Sequence, residues 1–243
     1  MNKEYHAWHS PILGVTMPIV TYGSFGRPLL LFPTAAADCE EYERFYLIDA
    51  MAHHIDAGRV KVYSIDSINR HSWMNDQIHP AERARRQALY DAYVYQEVAP
   101  FIWDSCRTPG IPIATSGASF GAFHALNTLL KHPDRFRMTI AMSGGYELRT
   151  YADGYYDETI YFNNPVDYMP QMHDSRTLDE LRNCTIVIAT GQGSYEAPHH
   201  STRMSDILNS KGIPHYLDLW GYEWPHDWPT WRRMIDVYLT KFF

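Results

Sequence analysis

The chain has 243 residues, a net charge of −7 at pH 7, and 45% hydrophobic against 20% charged residues, the proportions of a globular protein with a sizeable core. The acidic balance, without any basic run, argues against nucleic acid as a partner. Three cysteines without a Cys-x-x-Cys pair, no apolar leader and no membrane-length run predict a cytoplasmic protein without disulfides, zinc or membrane association.

The first half of the chain predicts two edge strands and then buried strands that alternate with helices. Residues 5–13 and 15–22 are apolar and aromatic but contain prolines, which favours an antiparallel pair at the margin of a sheet. Continuous apolar runs predict strands buried on both faces, at residues 28–32, 60–65 and 111–116. Helical spacing predicts helices from residue 38 or 39 to 51 and from Pro80 to about residue 98. In the second helix, Arg83, Arg85 and Arg86 are expected to form a solvated face.

The second half continues the alternation around one polar excursion. The predicted elements, in order, are a helix at 122–131, strands at 138–143 and 185–190, a helix at about 201–210, a strand at 214–219 and a closing helix at 228–243. Residues 146–174 are polar and tyrosine-rich, with no long apolar segment to form a lid. We therefore expect a single α/β domain over residues 1–243, with a mostly parallel sheet, flanking helices and right-handed crossovers. A site is expected at the carboxyl ends of its strands.

Residues 117–121 have the sequence Gly-Ala-Ser-Phe-Gly, the Gly-x-Ser-x-Gly pattern of a nucleophile elbow. The pattern needs a strand before it and a helix after it, and both are predicted here. Its glycines let neighbouring backbone pass close to a strained turn that exposes the serine. Ser119 is therefore the candidate nucleophile, and the amide of Phe120, at the helix start, is aimed at a developing oxyanion. Ser116 lacks the preceding glycine and is expected to end the strand.

A serine nucleophile needs a base in hydrogen-bond reach and a carboxylate that orients the base, and after this kind of elbow the acid precedes the histidine. Seven histidines follow Ser119, and only His226 lies in a loop after the last predicted strand, which makes it the candidate base. Glu196, in the loop after the strand ending at Thr190, is the candidate acid. Asp218, in the last strand, is the rival acid, and the sequence leaves this choice open.

Patterns for a metal or a dinucleotide are weak. The pairs His53-His54 and His199-His200 could suggest metal ligands. However, the side chains of adjacent residues are expected to diverge on a strand or helix, and no His-Glu-x-x-His motif is present. Gly191-Gln192-Gly193 is not followed by the third glycine of a dinucleotide-binding loop, whose place Glu196 occupies. We therefore expect neither a metal nor a cofactor.

The elbow, the loop at residues 191–196 and the late His226-Asp227-Trp228 resemble the Putative esterase family related to esterase D. The resemblance covers nearly the whole chain and implies the α/β-hydrolase fold. It assigns Ser119 as nucleophile, His226 as base and Glu196 as acid, although aspartate is the common acid among members. Because members act on varied esters and thioesters, the resemblance leaves the substrate open.

The same resemblance implies an oxyanion loop after the strand that ends at Phe32. That loop has no histidine-glycine sequence here, which makes Ala35 the favoured amide donor beside Phe120 and leaves Ala36 as the alternative.

Together these features predict a serine esterase that hydrolyses esters of small or compact acyl groups through a covalent acyl-enzyme. Tyr195, Trp73 and Trp224 are the candidates to line the substrate pocket. An acyltransferase or a thioesterase would use the same residues, and a non-catalytic binding module is the alternative from another class. The expected partner is a small-molecule ester, and a homo-oligomer is left open.

Overall fold

The computed structural model describes all 243 residues and contains one eight-stranded sheet. The strands are β1 (Lys3–His9), β2 (Thr16–Tyr22), β3 (Arg27–Phe32), β4 (Val60–Ile65), β5 (Ile113–Ala118), β6 (Phe136–Met142), β7 (Thr185–Thr190) and β8 (Tyr216–Leu219). Across the sheet they lie in the order β1-β2-β4-β3-β5-β6-β7-β8. The β1–β2 and β2–β4 pairs are antiparallel and all others are parallel, so the mostly parallel sheet with an antiparallel margin is confirmed.

Eleven α-helices cover the two faces of this sheet. They are α1 (Glu41–Arg44), α2 (Leu47–Ala50), α3 (Ala52–Asp56), α4 (Pro80–Tyr93), α5 (Ala99–Cys106), α6 (Phe120–Lys131), α7 (Glu158–Asn163), α8 (Pro165–Tyr168), α9 (Ser175–Arg182), α10 (Pro198–Ser210) and α11 (Trp228–Phe242). Helices α1 to α3 and α11 pack on one face, and α4 to α10 pack on the other. None of the helices is both long and apolar enough to span a membrane.

The central strands bury side chains on both faces of the sheet. In β3, Leu30 and Phe32 belong to the core under α4 to α10, whereas Leu29 and Leu31 belong to the core under α11. This division follows the two-residue period of a strand. It explains why the run is continuously apolar and why it could be assigned as a buried strand from the sequence.

The single helix predicted from residue 38 or 39 to 51 is wrong. The segment forms two short helices, α1 and α2, with α3 following it, and Tyr46, between α1 and α2, has a φ of +62°. A left-handed residue cannot continue a right-handed helix, so the chain turns there.

The helix predicted from Pro80 extends beyond residue 98. Helix α4 runs through a π-helical turn, Val94–Val98, into α5. The expectation that Arg83 is solvated is also wrong, since its side chain is buried and donates to the carbonyls of Ile78 and Tyr151. Those partners lie outside the helix, which is why helical spacing could not identify them.

Candidate active site

Ser119 lies between β5 and α6, at the carboxyl edge of the sheet, with φ of +56° and ψ of −122°. A non-glycine residue in this region carries strain of about 1–3 kcal/mol. The serine amide donates to the carbonyl of Met142 at 2.9 Å, which helps to hold the turn. A Cβ on Gly117 would overlap the backbone of Gly121, and one on Gly121 would overlap the carbonyl of Phe32. Both glycines are therefore required by close backbone approach. Ser116 is not the last strand residue, because β5 continues to Ala118.

His226 lies in the loop between β8 and α11, and its ring points at the elbow. Its Nε2 atom is 3.0 Å from Ser119 Oγ, and its Nδ1 atom is 3.3 Å from Glu196 Oε2. The His226 amide donates to the carbonyl of Ser194 at 2.9 Å, and its ring meets that of Trp231 edge to face. The structure thus brings together the three residues singled out as nucleophile, base and acid.

The Glu196 side chain is 1% exposed and is surrounded by hydrogen-bond donors. Its Oε1 accepts from the Ser143 hydroxyl at 2.5 Å and from the Gly191 amide at 3.2 Å, and its Oε2 accepts from the Thr190 hydroxyl at 3.0 Å. Burial alone would raise the pKa of Glu196, but the hydrogen bonds from His226 and Ser143 outweigh burial and lower that pKa below its usual value. The carboxylate is therefore ionised at neutral pH, as needed to stabilise an imidazolium.

Asp218, the rival acid, is directed elsewhere. Its carboxylate accepts from the Tyr238 hydroxyl at 2.8 Å and from the Trp220 indole at 3.2 Å. The side chain is exposed and makes no hydrogen bond to His226. Of the two acids that the sequence left open, only Glu196 contacts the imidazole.

Ser143 supports the carboxylate and was not identified from the sequence. It follows β6, has a φ of +53°, and anchors its amide on the carbonyl of Ala189 at 2.7 Å. Its hydroxyl accepts from the Trp231 indole at 3.0 Å while donating to Glu196. Its place just after a buried parallel strand was the available signal, because such positions face the site edge of the sheet.

Ala35 and Phe120 line the same cavity as Ser119. Neither amide donates a hydrogen bond within the protein, so both are free to bind an oxyanion. Phe120 opens the twelve-residue helix α6, whose positive dipole end favours negative charge. Ala36, the alternative donor, does not line the cavity.

The cavity around Ser119 has a volume of about 210 Å³. Tyr195 lines it and is 94% exposed. Trp73 does not line it, because its side chain is buried and its indole donates to Gln87 at 3.0 Å. Trp224 does not line it either, since its ring packs edge to face against Trp220.

Met74, Tyr151 and His200 are among the wall residues that the sequence did not place in the pocket. Burial, followed by the nearby charges of His199 and Arg203, lowers the pKa of His200 below its usual value. The imidazole of His200 is therefore neutral at pH 7. None of the three lies in a motif, and each reaches the cavity only through the tertiary fold.

The pair His53-His54 does not diverge as expected. The Nε2 atoms of both residues approach Asp236 Oδ1, at 3.3 Å and 3.2 Å. Three such ligand atoms within 4.8 Å of one another could hold a metal ion. However, Nδ1 of the buried His54 has no partner, whereas a metal-bound histidine ordinarily donates its second N–H. The cluster fits a hydrogen bond between His54 and Asp236, with His53 in contact with the same carboxylate, that joins α3 to α11.

Comparison with known proteins gives a family and a fold. Residues 42–241 match the family model described as Putative esterase. The structure is similar to a ferulic acid esterase at 18% identity and a TM-score of 0.77, covering 100% of this chain and 99% of that one. It is also similar to FphF, a fluorophosphonate-binding serine hydrolase of Staphylococcus aureus, at 15% identity and a TM-score of 0.73, with 99% and 97% covered.

A third similar structure is the S-formylglutathione hydrolase FrmB from Staphylococcus aureus, at 16% identity and a TM-score of 0.63, with 99% and 96% of the two chains covered. No curated protein sequence matches the chain. The structural likenesses establish the α/β-hydrolase fold, as expected from the sequence.

Proposed function

The chain belongs to the Putative esterase family, and from this membership we propose a serine esterase whose catalytic triad is Ser119, His226 and Glu196. Membership makes the protein a hydrolase of the esterase class. The observation that carries the triad is the hydrogen-bonded line from Ser119 Oγ through both ring nitrogens of His226 to the Glu196 carboxylate. This line lies at the carboxyl edge of a parallel sheet, where such folds place their chemistry.

In the proposed reaction, His226 Nε2 takes the proton from Ser119 Oγ as the oxygen attacks the ester carbonyl carbon. The carbonyl oxygen becomes an oxyanion, which the amides of Ala35 and Phe120 stabilise. The imidazolium, stabilised by Glu196, then gives its proton to the leaving alcohol as the carbon–oxygen bond breaks. Water, deprotonated by His226, attacks the acyl-enzyme and releases the acid and Ser119.

The cavity favours compact acyl groups. Its volume of about 210 Å³ lies below the roughly 300–1,000 Å³ of pockets that enclose drug-sized ligands. The excursion at residues 146–174 contains short helical segments and adds no long apolar helix over the cavity. A long lipid tail would therefore remain in water, which supports small-molecule esters as the substrate class.

The proposal is tested by turnover of p-nitrophenyl esters from acetate to palmitate, alongside aryl esters and thioesters, with wild type and Ser119→Ala. We expect acetate or butyrate to be hydrolysed at least about tenfold faster, by kcat/KM, than palmitate. Ser119→Ala should lose on the order of 10³-fold or more in kcat. Equal activity of the serine variant would contradict the triad, whereas faster palmitate turnover would contradict only the acyl preference.

A further inference from the structure

Asn69 is fully buried and joins three separate parts of the chain beside the oxyanion loop. It lies in the 3-10 turn after β4, and its Nδ2 donates to the carbonyl of Ala35 at 2.7 Å. Its Oδ1 lies 3.1 Å from Nε2 of His124, on the nucleophile helix α6. Its own amide donates to Ser67 Oγ at 2.9 Å. The three parts are the loop after β3, the turn after β4 and the helix that begins at the elbow.

The direction of this hydrogen-bonded chain is determined by its ends. A carbonyl oxygen only accepts, so the amide nitrogen of Asn69 must face Ala35 and the amide oxygen must face His124. Burial lowers the pKa of His124 to about 3, so its imidazole is neutral and carries the proton on Nε2. Each donor thus has one acceptor, from His124 to Asn69 to the carbonyl of Ala35.

The Ala35 carbonyl belongs to the central peptide of a tight turn. The Ala37 amide donates to the Thr34 carbonyl at 3.1 Å and closes the turn, while Ala35 has a φ of +38°. The central peptide of such a turn can rotate between turn types while the closing hydrogen bond persists. Holding the Ala35 carbonyl opposes this rotation and so restrains the residue whose amide is the proposed loop donor. Holding this plane keeps the strained backbone of Ala35 in one conformation.

We propose that Asn69, itself held by His124, is a positioning residue that locks the oxyanion loop in the conformation needed for catalysis. The inference rests on the proposed esterase function. The His124 ring also packs 5.2 Å from the ring of Phe120, whose amide is the second oxyanion donor. One buried chain therefore ties the loop donor and the elbow donor to the same imidazole.

Asn69→Ala removes the shorter of two hydrogen bonds to the Ala35 carbonyl, the other coming from Ser67 Oγ at 3.3 Å. It leaves Ser119, His226 and Glu196 untouched. Loss of a direct oxyanion-hole donor costs roughly 10²–10³-fold in kcat, and here the backbone donor remains but loses its fixed direction. We expect kcat for p-nitrophenyl acetate to fall by about 10- to 10²-fold with KM little changed. The Ki of a trifluoromethyl ketone, whose serine adduct carries an oxyanion, should rise by a similar factor.

Two substitutions of His124 separate positioning from simple packing. His124→Gln keeps an N–H donor near the place of Nε2, whereas His124→Leu fills the site without a donor. The glutamine variant should retain kcat within about threefold of wild type, and the leucine variant should match Asn69→Ala. Asn127→Ala is the matched control, because Asn127 is buried on the same helix but accepts from Tyr168 at 2.8 Å, away from the loop.

All variants are compared by thermal unfolding, kcat, KM and the inhibitor Ki at temperatures where each is folded. Lower kcat with higher Ki in Asn69→Ala and His124→Leu, but not in Asn127→Ala, would support the inference. Equal loss in Asn127→Ala, or unchanged Ki in folded Asn69→Ala, would overturn it. If wild type hydrolyses esters and Ser119→Ala does not, such a failure concerns Asn69 alone and leaves the proposed function intact.

Discussion

Replacing Glu196 with glutamine tests how the proposed acid sets the proton position on His226. Each carboxylate oxygen accepts from two donors: Oε1 from Ser143 and Gly191, and Oε2 from Thr190 and His226. The Gly191 N–H is a backbone donor that cannot rotate away. The oxygen of the new amide must therefore take the Oε1 place, and its NH₂ group the Oε2 place.

An NH₂ group at the Oε2 place donates to His226 Nδ1 and moves the ring proton to Nε2. Ser119 then loses its proton acceptor, because Nε2 is the atom that lies 3.0 Å from its hydroxyl. The equivalent amide substitution in serine proteases lowers kcat by roughly 10⁴-fold. We expect a loss of about 10²- to 10⁴-fold, equivalent to about 3–5 kcal/mol of transition-state stabilisation. The lower bound allows for the long 3.3 Å contact between Nδ1 and Oε2.

The assay is steady-state hydrolysis of p-nitrophenyl acetate by wild type, Glu196→Gln and Asp218→Asn, with thermal unfolding as the check on folding. Because the Asp218 carboxylate bonds to Tyr238 and Trp220 rather than to the imidazole, its amide variant should retain kcat within about threefold. KM should change little in either variant. A folded Glu196→Gln enzyme with near-normal kcat, or a larger loss in Asp218→Asn, would refute the assignment of the acid.

Two further predictions concern stability. Burial alone would raise the pKa of Asp91, but the hydrogen bond from His132 and the charge of Lys131 outweigh it and lower that pKa. The folded pKa of Asp91 therefore lies below its unfolded pKa of about 4, and ionised Asp91 stabilises the folded protein above that pH. This stabilisation is lost as the pH falls through the folded pKa. Asp91→Asn should therefore reduce the free energy of unfolding by about 1–3 kcal/mol at pH 7, with the difference shrinking toward pH 3 in denaturant titrations; a constant difference would contradict this. Gly121→Ala should lower the melting temperature or prevent folding, because its Cβ would overlap the carbonyl at the end of β3. The matched Gly145→Ala, with nothing within 4 Å, should keep the wild-type melting temperature. Equal melting temperatures for the two variants would contradict the close-approach argument.

The strands were predictable because their signal is local. Strands β4 and β7 coincide to the residue with the runs 60–65 and 185–190, since β-branched runs between loop residues leave few alternatives. The segment after β3 was not predictable in the same way. Helical spacing suggested one helix, but the left-handed Tyr46 divides it, and nothing in its neighbours required a positive φ.

The residues of the candidate site also differ in whether a local sequence pattern indicated them. The elbow pattern indicated Ser119, the loop after the last strand indicated His226, and loop position favoured Glu196 over the rival Asp218, since the site of such a fold lies at the carboxyl ends of the strands. Ser143 and Asn69 escaped notice because their partners lie far along the chain. Ser143 contacts Glu196, 53 residues later, and Asn69 contacts His124, 55 residues later.

Pocket residues were the least predictable part. Trp73 and Trp224 were chosen as aromatic loop residues, yet the first is buried against Gln87 and the second packs on Trp220. Aromatic side chains lower the free energy more by burial than by exposure at a cavity wall. Loop position alone therefore does not distinguish a wall residue from a core residue.

The most direct test of the proposed triad is the site of covalent modification by a fluorophosphonate, mapped by mass spectrometry on the folded protein. Ser119 is strained, lines the cavity and is hydrogen-bonded to an imidazole, so it should react. The buried Ser116, which donates to the carbonyl of Ile140, should not. We predict one adduct on Ser119 in wild type, with labelling abolished in Ser119→Ala. Folded wild-type protein that stays unlabelled, or an adduct on another serine, would contradict the central claim.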